Sequence, residues 1–231
     1  LLLGIGIYLG IRNLAFRNSA ACMYLKTSDS INLCYEWRSV KNPKGYLVLL
    51  HMMPATKESW DTFAKKMQRE GYASVAIDLR GHGESDGGPN GYKGFSDADH
   101  QKSILDVAAA VEFLKKQGAA PEQIVPVGAS IGANLSLQYI VEHPEIKKAV
   151  LLSAGLNYRG IKTQPLLRQL RPDQRVLAVT SQDDGDNASE NETVFEGNAP
   201  NLIVYDRGGH GTTILENQPD LFDKILRFLQ L

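Results

Sequence analysis

Little in this chain is extreme, and what it lacks narrows its chemistry. Lys and Arg number 25 against 26 Asp and Glu, for a formal charge of -1. No basic run stands out, so the electrostatic footprint of a nucleic-acid-binding protein is missing. There are only two cysteines, Cys22 and Cys34, and neither lies near a His/Cys cluster of zinc spacing. No internal repeat or low-complexity segment is visible. The apolar stretch Leu1 to Gly10 is ten residues long, well short of the roughly 20 needed to span a bilayer.

What is present suits an ordinary globular protein. A length of 231 residues, 43% hydrophobic and 22% charged, can bury one large core in a single α/β domain. Residues 1–22 are set apart as an apolar segment: a signal-peptide remnant, a trimmed anchor or a packed helix. Ser19-Ala20-Ala21-Cys22 loosely resembles a lipoprotein cleavage box, but the usual leucine is missing and Arg12 and Arg17 interrupt the core. The expectation is that residues 1–16 contact a membrane or pack on the domain, which weakly favours the cell envelope over the cytoplasm.

Cys22 and Cys34 flank an expected hairpin, with Thr27-Ser28-Asp29-Ser30 as its turn. A four-residue loop would pair Lys26 with Ile31 and set Cys34 opposite Met23. Two free buried thiols are therefore the expectation.

Beyond the hairpin the pattern alternates. Apolar runs at 46–50, 73–77, 124–127, 149–152, 176–180 and 202–205 read as buried strands. Helical spacing appears at 59–69, at 97–117, from Ala133 to about Val141 and at 219–231. The fold class expected is α/β: a mostly parallel central sheet with an N-terminal antiparallel hairpin and helices on both faces. Ligands of such sheets bind beyond the carboxyl ends of the strands.

Ser130 stands at such an end, in Gly128-Ala129-Ser130-Ile131-Gly132 between strand and helix. The sharp turn needs small neighbours two residues to either side and lifts the hydroxyl above the sheet. A serine hydroxyl needs a base. Of the five histidines, His210 follows the last strand in Gly208-Gly209-His210-Gly211 and is the candidate. His51 and His82 read as loop braces, and His100 and His143 as solvated helix-edge residues. The base needs a carboxylate, and Ser181-Gln182-Asp183-Asp184 supplies two at the end of the penultimate strand. The oxyanion donors expected are the N–H groups of Ile131 and Met53, with Met52 the alternative to Met53. A metal site built on His51, His82 and Asp78 lacks ligand spacing, and no metal or cofactor is expected.

The chain resembles α/β-hydrolase-fold serine hydrolases over nearly all of residues 23–231. The resemblance rests on Leu50-His51-Met52-Met53-Pro54, on Asp78-Leu79-Arg80-Gly81-His82-Gly83-Glu84-Ser85, on the Ser130 pentapeptide, on Asp184 and on Gly209-His210-Gly211. It implies a Ser130–Asp184–His210 triad, with Asp184 preferred over Asp183 three positions beyond Ser181. It also implies acyl transfer from an ester to Ser130 followed by hydrolysis. Met52 departs from the glycine usual after the histidine. Only Ser153 to Asp173 occupy the place where relatives insert a cap, so an open, capless site acting on small esters is expected. Thioester or peptide hydrolysis, or a non-catalytic ligand-binding member of the fold, are the alternatives. Oligomeric state is left open.

Overall fold

In the computed structural model, residues 22–195 and 201–231 are described. The expectations for residues 1–21 lie outside them. An eight-stranded sheet runs in the order β1-β2-β4-β3-β5-β6-β9-β10. Its strands are β1 (Met23–Lys26), β2 (Asn32–Arg38), β3 (Gly45–Leu50), β4 (Tyr72–Ile77), β5 (Ile124–Ala129), β6 (Lys148–Leu152), β9 (Arg175–Ser181) and β10 (Leu202–Tyr205). A separate small hairpin pairs β7 (Asn157–Tyr158) with β8 (Ile161–Lys162). Strands β1 and β2 are antiparallel, as are β2 and β4, and every pair from β4 to β10 is parallel. This is the architecture expected from the alternating pattern.

The fully buried strands β3, β4 and β5 explain their continuous apolar runs, since both faces are covered. One face carries the core with Val48, Leu50, Val111, Leu135 and Leu151. It lies under α3 (Ile104–Lys116) and α4 (Ile131–Glu142). The other face packs Leu47, Leu49, Phe63, Val127, Ile225 and Phe228 against α1 (Asp61–Arg69) and α8 (Leu221–Gln230). Each buried Leu or Val side chain contributes roughly 1.5–3 kcal/mol of hydrophobic stabilisation.

Three expectations change. The helical stretch 97–117 is two helices, α2 (Asp97–Gln101) and α3. Ser103 N–H donates to His100 O and Asp106 N–H to Ser103 O, three-residue bonds that tighten the backbone between them. His100 is buried rather than solvated, packed edge-on against Phe95.

The cysteines form a disulfide, Cys22–Cys34, with Cα atoms 5.7 Å apart. The hairpin loop has odd length: Lys26 pairs with Asn32 and Tyr24 with Cys34. Cys22 therefore lies diagonal to Cys34 on the same face of the ladder, within reach of a bond. The expected four-residue loop would have set them on opposite faces.

The Asp78–Ser85 stretch is a structural brace. Buried Asp78 accepts from the Lys57 N–H at 2.7 Å, the Lys57 ammonium at 2.9 Å and the Glu84 N–H at 3.0 Å. A Cβ on Gly83 would lie 2.1 Å from the Asp78 carboxylate, so the loop can close over it only with glycine there. Arg80 spans Asp29 and the buried Asp106. His51 donates from Nδ1 to Met52 O and accepts the Leu79 N–H on Nε2 at 3.0 Å, which occupies both ring nitrogens and leaves none for a metal.

Candidate active site

Ser130 ends β5 and begins α4, with φ 55° and ψ -120°. Few non-glycine residues hold such a backbone, and its persistence needs surroundings that over-determine it. The flanking glycines supply them. A Cβ on Gly128 would lie 2.0 Å from Gly132 O, and one on Gly132 would lie 2.4 Å from Leu50 O. Glycine at both positions lets the helix start press against β3 and β5 at once. The Ser130 N–H donates to Leu152 O of β6 at 2.8 Å, and the residue is almost wholly buried.

The other two predicted groups emerge from neighbouring strand ends. Asp184 follows β9 and is buried at the side chain; His210 follows β10 and is one-third exposed. His210 Nδ1 lies 2.8 Å from Asp184 Oδ1 and 3.0 Å from Oδ2. An acceptor-only carboxylate on Nδ1 puts the proton there and leaves Nε2 as the basic atom. The structure thus brings Asp184 and His210 together.

Asp183 has another task. One of its oxygens accepts the N–H groups of Gly208 and Gly209, each at 2.9 Å, together with the Ser181 hydroxyl. The Ser181 hydroxyl, then those two N–H groups, hold its pKa down at about 2. Asp183 clamps the base of the loop that carries His210. Ser153, at the end of β6, clamps the far side, its Oγ accepting the Gly211 N–H at 2.9 Å.

Of the predicted oxyanion donors, Ile131 directly follows Ser130, and Met52 and Met53 lie on the loop after β3. Among the described residues, the N–H groups of Ile131, Met52 and Met53 donate to no protein acceptor. Ile131 stands at the positive end of α4. Met52 and Met53 take opposite faces of the sheet, one packing with each core. A Cβ on Gly211 would come within 2.5 Å of Met52 Sδ, so this methionine bears on the His210 loop.

Two residues at the site escape the sequence reading. Tyr158 lies on the β7–β8 hairpin, and burial pushes its phenol pKa up. Its hydroxyl donates to Asn187 Oδ1 at 2.8 Å, and Asn187 Nδ2 donates to Asp184 Oδ2 at 2.8 Å. Asn187 lies on α6 (Asp186–Phe195), a helix whose polar sequence hides it. Gly155 makes room for the phenol: a Cβ there would sit 2.6 Å from Tyr158 Cζ. Buried Asn134, on the helix that Ser130 starts, holds Gly155 by two hydrogen bonds.

Comparison with known proteins agrees with this fold. The family model for serine aminopeptidase, S33, matches residues 41–206. A bifunctional esterase/perhydrolase of Acinetobacter calcoaceticus is 35% identical over 136 residues, 57% of this chain and 44% of that protein. A non-heme chloroperoxidase of Streptomyces lividans is 34% identical over 133 residues, 55% of this chain and 43% of that one. The chain thus spans less than half the length of the curated relatives it matches. Among solved structures, an esterase of Pyrococcus furiosus superposes with a TM-score of 0.71 at 21% identity, covering 90% of this chain and 89% of that one. An esterase of Exiguobacterium antarcticum gives 0.68 at 17%, covering 91% and 100%. At such identities the likeness is one of fold.

Proposed function

The chain belongs to the serine aminopeptidase S33 family, with the α/β-hydrolase fold, and from that premise we propose that it hydrolyses small carboxylic esters through an acyl-enzyme on Ser130. The observation that carries this reading is the strained serine at the start of α4 with the His210–Asp184 pair at neighbouring strand ends. Asp184 holds His210 in the tautomer whose free Nε2 takes the Ser130 proton as Oγ attacks the ester carbonyl. The N–H groups of Ile131 and Met53 receive the developing oxyanion, worth about 3–4 kcal/mol of barrier per donor in comparable sites. His210 then gives its proton to the departing alkoxide. Water repeats the sequence on the acyl-enzyme, releasing the carboxylic acid and restoring the hydroxyl.

A half-buried His210 and the modest insertion after β6, a two-stranded hairpin and α5 (Thr163–Leu167), leave the site open. That openness favours short or surface-presented acyl groups. The perhydrolase half of the Acinetobacter relative's name adds one variation: hydrogen peroxide in place of water would release a peracid from the same acyl-enzyme.

The test is covalent labelling by a fluorophosphonate, followed by rates on nitrophenyl esters of increasing chain length beside an amide and a thioester. Labelling that disappears in Ser130→Ala, with a rate maximum at short esters, is the expected result. Faster amide than ester cleavage would overturn the ester reading in favour of a peptidase. Absent labelling with retained ligand binding would make the chain a non-catalytic member of its fold.

A further inference from the structure

The Asp184 carboxylate holds more than the His210 ring. Its Oδ1 lies 2.8 Å and its Oδ2 3.0 Å from His210 Nδ1, so both oxygens share one N–H. A carboxylate with a single shared donor can turn about its Cβ–Cγ bond, because that torsion is broad in aspartate. Here a second donor opposes the turn. Asn187, in the first turn of α6, donates from Nδ2 to Asp184 Oδ2 at 2.8 Å.

The amide is fixed in its turn. Ionised Asp184 can only accept, so Asn187 must present Nδ2 to it, and Oδ1 then faces the Tyr158 hydroxyl at 2.8 Å. That hydroxyl must donate, and burial keeps the phenol protonated to do so. Tyr158 is seated in the space that Gly155 leaves open, and Asn134 and the Thr163 hydroxyl hold Gly155 O at 3.0 and 2.9 Å. The Leu156 N–H reaches Glu190 of α6 at 3.3 Å, a second tie between the hairpin and the helix. Tyr158 thus donates to Asn187 and Asn187 to Asp184, while His210 donates to the same carboxylate from its other side.

We propose that Asn187 is a positioning residue of this site, acting through Asp184: it fixes the carboxylate in the orientation that meets His210 Nδ1, and Tyr158 fixes Asn187. This rests on the acyl-enzyme reading above. No proton passes through the amide in any step. A carboxylate free to turn would be a poorer acceptor for Nδ1, and the His210 proton would spend part of its time on Nε2. There it blocks the uptake of the Ser130 proton.

The test is Asn187→Ala, with Tyr158→Phe as a milder change that keeps both the ring and the amide. Spectra and kinetics are taken well below the Tm of each variant. Nitrogen NMR of isotope-labelled histidine reads the His210 tautomer without any substrate. The wild type should keep the proton on Nδ1, and Asn187→Ala should show a mixture with the Nε2–H form. In ester kinetics Asn187→Ala should lower kcat about tenfold and leave KM within about twofold. Fluorophosphonate labelling of Ser130 should slow by the same factor, because acylation draws on the same base. Tyr158→Phe should show a smaller mixture and about a threefold fall in kcat. A merely structural role for α6 would leave the tautomer alone. An unchanged tautomer in Asn187→Ala, an unchanged kcat, or a loss carried by KM alone overturns the proposal and leaves the ester reading intact. A wild-type protein that the fluorophosphonate does not label overturns the ester reading, while the tautomer comparison still decides whether Asn187 governs Asp184.

Discussion

Asp183 and Asp184 are neighbours in sequence and hold different parts of one loop. Asp184 meets the His210 ring, whereas Asp183 takes the backbone N–H groups of Gly208 and Gly209 that support it. One carboxylate sets the tautomer and the other sets the position.

Their substitutions should therefore separate. Asp184→Asn presents an amide to Nδ1 and stabilises the wrong tautomer, so kcat should fall by about 10⁴. Asp183→Ala leaves the tautomer alone but loosens the loop, and about a tenfold fall in kcat/KM is expected, with a lower Tm. Steady-state ester kinetics on the pair decide it. Equal losses would show that the two carboxylates share one role.

Gly132 makes a second prediction of opposite kind, about stability before activity. A methyl group there would meet Leu50 O at 2.4 Å, a strand carbonyl with no freedom to move aside. Gly132→Ala should cost about 2–3 kcal/mol or more, read as a lower urea midpoint. Gly94, whose Cβ would meet nothing within 4 Å, is the control position and should tolerate alanine. A Gly132→Ala midpoint equal to wild type would refute the steric account of the turn.

Stability should fall on mild acidification through His82. Burial first, then the neighbouring His51, lowers its pKa from 6.5 to about 4. A folded pKa below the unfolded one means the unfolded chain binds the proton first. The contribution is whole above pH 6.5 and is lost as pH falls toward 4, on the order of 2–3 kcal/mol. Burial depresses His51 in the same direction. The Asp29 and Asp183 carboxylates, held at about 2, act only at lower pH. Urea midpoints between pH 7 and 4.5 should fall for the wild type and fall less for His82→Gln. Parallel slopes would exclude His82 as the source.

How much of this was legible depended on how local each signal was. Ser130, Asp184 and His210 each sit just past an apolar run, and the strand order places those ends together. The parallel sheet announced itself because β3, β4 and β5 are buried on both faces. Tyr158 gave no such sign: a single tyrosine reaches Asn187, and through it Asp184, from a seat that Gly155 and Asn134, distant from each other in sequence, shape. The α6 helix was hidden for a different reason. Its sequence is mostly polar, so periodicity had too few apolar residues to register. The disulfide turned on one residue of loop length, which composition cannot supply.

That disulfide also governs how a load would enter the domain. Strand β1 is an edge of only four residues and, pulled from its start, would unzip from β2 one pair at a time. Cys34 lies within β2, and its bond to Cys22 precedes the whole of β1. Tension arriving from residues 1–21 bypasses the short strand and is passed through sulfur to β2, which is paired along both edges. To pull β2 free, the ladders on both of its edges must give way.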